Sequence, residues 1–154
     1  MPKQLLCALV LAMALTACGG ANKPVDTQWT PAQMAQALWD SQPAAEALEI
    51  LPGDEMYPVF LAESYGLAAE DVVDGAVFAS ADVAAQEFAV LRLSDTADEA
   101  AVQAALEAYL AERAAVFYGY LPDEAALLEA SEVVVRGRYA ALLACGDVAA
   151  AREA

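Results

Sequence analysis

The spacing of apolar side chains divides this chain into segments with different periods. From Leu5 to Cys18 every position but Thr16 is apolar, a run of 14 residues without a charge that follows the basic start Met1-Pro2-Lys3-Gln4. A helix of that length falls short of the ~20 residues that cross a bilayer, so it reads as a signal-peptide segment. A polar stretch, Gly19 to Gln28, comes next. Thr30, Pro31 and Gln33 then carry a capping box with proline at the first helical position, and Met34, Ala35, Leu38 and Trp39 supply a stripe at helical spacing. Pro43 ends or kinks this helix, and "AAEALEIL" predicts a second short one.

Residues 52–67 are punctuated by Pro52-Gly53 and Pro58, with room for one short helix before Gly66. "EDVVDGAVFAS" (70–80) and "QEFAVLRLS" (86–94) read as strands, spaced to pair antiparallel. A long helix follows, with Thr96 and Glu99 as a capping box. Val102, Leu106, Tyr109, Leu110, Arg113, Val116 and Phe117 form its stripe, and Gly119 its stop. Pro122 opens a short helix, and "SEVVVRGRYAALLAC" reads as a hairpin turning at Gly137. Asp147 caps a short C-terminal helix. This order predicts an α+β domain: a small antiparallel sheet of about four strands with helices packed on one face, preceded by a signal-peptide helix. The divisions are 1–17 signal peptide, 18–29 tether and 30–154 one domain.

Leu15-Thr16-Ala17-Cys18 resembles the lipobox of bacterial lipoproteins. Small residues before the cysteine admit a peptidase between Ala17 and Cys18, the Cys18 thiol takes a diacylglyceryl group, and Gly19-Gly20 leave the acylated end uncluttered. Two or more acyl chains hold a protein stably on a membrane where one does not. The membrane is therefore one expected partner, through lipid on Cys18, with the domain on the extracytoplasmic face. Of the other cysteines, Cys7 leaves with the signal and Cys145 is left alone, so the mature chain has no internal disulfide. Cys145, within "YAALLAC", reads as a small core residue.

Composition alters this picture in two ways. All 23 acidic residues follow position 18, the chain as a whole carries −16, and the mean hydropathy of +0.41 owes much to alanine. Such a body repels phosphate backbones, which argues against nucleic acid as a partner. Histidine is absent, which removes the commonest general base and transition-metal ligand.

The lipobox, "SYG" at 64–66, "DVVDGAVFAS", "EFAVLRL" with its long helix, and "YGYLPDEAALLEASEVVVRGRYAALLAC" together resemble a bacterial lipoprotein family, domain of unknown function 4358. The likeness spans roughly residues 30 to 148. Its shared features are packing and turn patterns, Tyr120 before Pro122 and Gly137 before Tyr139, and it implies no catalytic or binding residue. Residues 80–85, "SADVAA", stand where that pattern leads one to expect a glycine-containing turn.

Candidate chemistry is sparse. Glu70, Asp71 and Asp74 cluster before a strand and Asp54 and Glu55 sit in the irregular segment; paired carboxylates of this kind could serve glycoside hydrolysis or simply be solvated surface. No calcium-loop spacing occurs, and neither a metal nor a cofactor is expected. Tyr57, Phe60 and Tyr65 are open to two readings, a recognition surface or the packing of a short helix. Arg136 and Arg138 flank the Gly137 turn. They could grip an anionic partner, or act as charged edge residues that discourage strand addition. The expectation is a non-catalytic, lipid-anchored binding module whose further partner is an envelope protein or small ligand. The alternatives are a carboxylate-dependent envelope hydrolase and an accessory structural lipoprotein.

Overall fold

A computed structural model describes residues 28–43 and 45–154. The signal segment, the Ala17–Cys18 cleavage point and nearly all of the tether lie outside the described residues. The elements are α1 (Pro31–Asp40), β1 (Ala47–Ile50), α2 (Met56–Val59), β2 (Val72–Ser80), β3 (Glu87–Leu93), α3 (Glu99–Tyr118), α4 (Pro122–Glu129), β4 (Glu132–Arg136), β5 (Tyr139–Ala144) and α5 (Val148–Glu153). A π-helical turn, Phe60–Ser64, continues α2, and a 3-10 turn, Ala69–Asp71, leads into β2.

The strands make one antiparallel sheet in the order β1-β2-β3-β5-β4. The α+β class is as expected; the sheet has five strands rather than about four. The extra strand is β1, drawn from the stretch expected to be helical. Alanine, leucine and glutamate favour a helix there, but pairing of Ala47–Ile50 with Val77–Ser80 overrides that local preference. Ile50 is buried at the end of the pair, while Leu48 points to solvent.

Helices also cover both faces rather than one. Ala35 and Trp39 of α1 and Ala151 of α5 pack on Ala76, Phe78, Phe88, Val90 and Leu143. Strand alternation sends Val77, Ala89, Leu91, Leu93 and Leu142 to the opposite face. There they meet Val102, Leu106, Leu110, Ala114 and Phe117 of α3 and Leu128 of α4. The central strands β2 and β3 are thus apolar at nearly every position, because both faces are buried. Trp39 meets the Phe88 ring edge-on at 6.2 Å. Each fully buried Leu or Phe side chain contributes about 1.5–3 kcal/mol.

Several terminal signals are realised as drawn. Gln33 N–H donates to Thr30 Oγ1 at 3.3 Å and Thr30 N–H to Gln33 Oε1 at 2.9 Å, completing the first capping box. Asp147 Oδ1 accepts from Ala150 N–H and starts α5. At α3 the cap is Asp98, not Thr96. Asp98 Oδ1 accepts from both Ala100 and Ala101 N–H, whereas Thr96 Oγ1 hydrogen-bonds Ser94. Val116 of the expected stripe is exposed and Ala114 is buried in its place. Gly119 ends α3 with a right-handed φ of −78°, so its freedom at positive φ is not used. Gly137 does use it: φ of +57° at the first of two turn residues links β4 and β5 in a tight hairpin. The β2–β3 connection needs no glycine. Ser80 Oγ accepts from Asp82 N–H, and Ala84 N–H donates to Asp82 O.

Candidate functional site

The inward register of β3 (Glu87, Ala89, Leu91, Leu93) begins with a carboxylate. Glu87 is 2% exposed, buried beneath α3. Tyr65 Oη donates to its Oε1 at 2.6 Å; Tyr109 Oη and Arg113 Nη1 donate to its Oε2 at 2.9 and 2.8 Å. The two tyrosine rings meet edge-on at 4.8 Å, and the Arg113 guanidinium stands 5.5 and 5.7 Å from the Tyr109 and Phe117 ring centres. Tyr109 and Arg113 are four apart on α3, so a single helix face presents both donors.

Burial pushes the Glu87 carboxyl above the usual carboxylate range, opposed by Arg113 and by the two phenol hydrogen bonds. Burial likewise raises Tyr65 and Tyr109, with the Glu87 charge adding to it. An isolated buried carboxylate would cost several kcal/mol; three donors, one cationic, offset that here. The outer end of this network is closed by Arg113, itself mostly buried. Its evident effect is to fix α3 over the sheet and the π-helical turn beside both. Sequence reading placed Arg113 on the buried stripe and missed Glu87. The available signal was a charge of each sign on two faces destined for the core.

The clustered carboxylates do not converge. Asp54 accepts from Leu51 N–H within a local turn, Asp74 sits 3.8 Å from Arg92 across the β2–β3 pair, and Glu70 and Asp71 occupy the 3-10 turn. Among the described residues, no group of three or more cysteines or carboxylates is arranged to hold a metal ion.

Nor do the five candidate interaction residues share a surface. Tyr57 and Tyr65 are buried and Phe60 packs against them in the core, meeting Tyr65 edge-on at 5.1 Å. Core packing is therefore the reading the structure selects for the aromatics. Tyr57 Oη lies against Gly75 and lacks a hydrogen-bond partner among the described residues; burial pushes this phenol up to about 12. Arg138 is committed to Ser94 O and Asp95 O at 3.1 and 2.9 Å, near the carboxylates of Asp95 and Glu99. Arg136 alone of the five projects from the hairpin as an exposed charge.

The open surface nearest Arg136 is the free edge of the sheet. A groove of about 690 Å³ runs between α3, α4 and β4, with Leu110, Ala114, Leu128, Val133 and Val135 as apolar floor and Gln103, Glu107 and Glu129 at its rim. On the other face of β4 a groove of about 450 Å³ is lined by Leu38, Val134, Arg136, Tyr139 and Leu143. Arg152 of α5 reaches the strand's start, where its Nε donates to Glu132 Oε2 at 2.7 Å. Cys18 and Ala17, expected to carry the anchor, fall outside the described residues. Among the described residues no helix is long and apolar enough to cross a membrane.

No curated protein and no solved structure matches this chain. Residues 54–145, from the turn before α2 to the end of β5, match a family described as Domain of unknown function (DUF4358). That span includes β2 through β5, the Glu87 network and the free edge, and it omits α1, β1 and α5. The chain belongs to the Domain of unknown function (DUF4358) family.

Proposed function

We propose that this chain is a lipid-anchored module of the cell envelope, tethered through Cys18 on the extracytoplasmic face, and that it works by binding rather than by turnover. The observation that carries the reading is Leu15-Thr16-Ala17-Cys18-Gly19-Gly20 at the end of a 14-residue apolar run. The lipid-bearing terminus is joined to the domain by a polar stretch of about ten residues, a reach on the order of 30 Å. Two features of the domain favour binding. Among the described residues, the deeply buried carboxylate of Glu87 accepts from three donors beneath α3, and apolar grooves lie along a strand edge that offers unpaired backbone.

The test is expression of the full chain in a bacterium that processes lipoprotein precursors, followed by mass spectrometry of the N-terminal peptide. The expected product begins at Cys18 and carries a diacylglyceryl group, and Cys18→Ser releases the protein from the membrane fraction. A product that begins at Met1, or a free thiol at position 18, refutes the anchor.

A further inference from the structure

We infer that the free edge of β4 pairs antiparallel with β4 of a second copy of this chain, joining two five-stranded sheets about a two-fold axis at Val134. This inference rests on the edge strand alone and does not depend on the anchor.

β4 reads Glu132-Val133-Val134-Val135-Arg136 and, among the described residues, is hydrogen-bonded on one side only, to β5. The two-residue turn closes on the Arg136–Tyr139 pair. Alternation along the ladder then leaves the N–H and C=O groups of Val133 and Val135 facing outward. In an antiparallel pair centred on Val134, Val133 of each copy stands opposite Val135 of the other, and these two pairs exchange four backbone hydrogen bonds. The two Val134 residues meet as a non-hydrogen-bonded pair, where side chains approach closest. At both ends Glu132 faces Arg136, so the strand's charges complement themselves under the same two-fold axis.

The surroundings are open where this pairing needs room. The outer surfaces of Val133 and Val135 border the groove under α3, and Val134 borders the groove on the α5 side. Each copy's valines would therefore enter an apolar trough rather than meet a wall. Among the described residues the Arg136 side chain has neither a hydrogen bond nor an ion pair, while Glu132 already accepts from Arg152 and has lone pairs left for a second donor. The opposite edge, β1, lacks this property, since its charged residue, Glu49, and Glu46 just before it are both acidic. The −16 net charge opposes association at long range, so pairing strengthens as salt screens the two bodies while the local strand contacts persist.

The test uses the full chain in detergent, followed by sedimentation at moderate salt. The parent is expected at twice its 16.1 kDa chain mass, less any part removed in processing. Glu132→Arg and Arg136→Glu each place like charges at both ends of the pair, and each variant alone should dimerise at least about tenfold more weakly. Mixed in equal amounts, these two variants regain complementary ends and should form the mixed dimer. The double variant should recover the parent's self-association. Circular dichroism melts identify any variant that has lost its fold. A second readout is independent of charge: Val134→Cys should give a crosslinked dimer under mild oxidation, whereas Leu48→Cys on β1 should match the parent's background. A monomeric parent at high concentration, single variants that dimerise as the parent does, or equal crosslinking at positions 48 and 134 would overturn the inference. So would a parent whose β4 edge is found occupied by a different protein.

Discussion

Arg113→Met removes the cation from the Glu87 network while keeping most of the side-chain stem. In the parent, Glu87 Oε2 accepts from Arg113 at 2.8 Å at a site where the carboxylate is 2% exposed. Removing one partner of a buried pair typically costs about 3–5 kcal/mol. The Arg113 side chain is 21% exposed and two phenol donors remain, so the expected loss at pH 8 is about 2–3 kcal/mol. The loss depends on pH in a direction the geometry dictates. Burial already holds the folded-state Glu87 carboxyl above its ordinary value of 4.5, and Arg113 is the main influence pulling it down. A raised carboxyl keeps its proton longer in the folded state than in the unfolded one, so stability declines as pH rises from about 4.5 through the folded-state value. Without Arg113 that decline is deeper. At pH 4, where less of Glu87 is charged, the variant should lose mainly the guanidinium's hydrogen bond to Ala85 O at 3.4 Å and its ring contacts with Tyr109 and Phe117, about 1–2 kcal/mol. Urea unfolding from pH 4 to 8, followed by fluorescence of buried Trp39, measures the gap. Contributions common to both proteins cancel in the difference. Glu87→Gln combined with Arg113→Met should recover a substantial part of the loss, because no unpaired charge is left inside. A gap that is the same at pH 4 and pH 8, or a double variant as unstable as the sum of the singles, refutes the reasoning.

Other consequences follow from single contacts. A Cβ at Gly75 would collide with Tyr57 Oη and come within 2.8 Å of Leu91 Cδ2, so Gly75→Ala should cost about 1–3 kcal/mol. Tyr57→Phe, which deletes a buried hydroxyl without a partner among the described residues, should be nearly neutral and should soften the Gly75→Ala loss. Paired thermal melts of the two singles and the double decide this. Gln42 accepts from Asp147 N–H at 3.1 Å and donates to Asp147 O at 3.0 Å, tying the end of α1 to the start of α5. Gln42→Ala should therefore destabilise by about 1–3 kcal/mol in urea titrations, with hydrogen exchange rising first in α5. Cys145 is buried, and burial pushes its thiol up to about 11, so a thiol reagent at pH 8 should label it only at the rate of unfolding. Prompt labelling in native buffer would show the site to be open.

What could be learned from the chain alone was whatever local physics determines. Thr30 and Gln33 cap α1 because the partners are three residues apart. Gly137 turns the hairpin because two residues must join two strands. "EFAVLRL" is a strand because branched and aromatic side chains suit a pleated surface buried on both sides. The proposed anchor, too, rests on sequence alone, on the order Leu15-Thr16-Ala17-Cys18. The tertiary structure decided the features whose partners lie far apart along the chain. "ALEI" is a strand because residues 77–80 offer an edge, against its helical preference. Tyr57 and Tyr65 are core rather than surface because distant elements meet them, Gly75 of β2 against Tyr57 and Tyr109 of α3 against Tyr65. Glu87 is tolerable inside only because Tyr65, Tyr109 and Arg113 arrive from 22 and 26 residues away. And β4 has a free side only because β5 turns back between it and β3. Neighbours in sequence set caps, turns and periodicity, while burial and strand order depend on which distant surfaces meet.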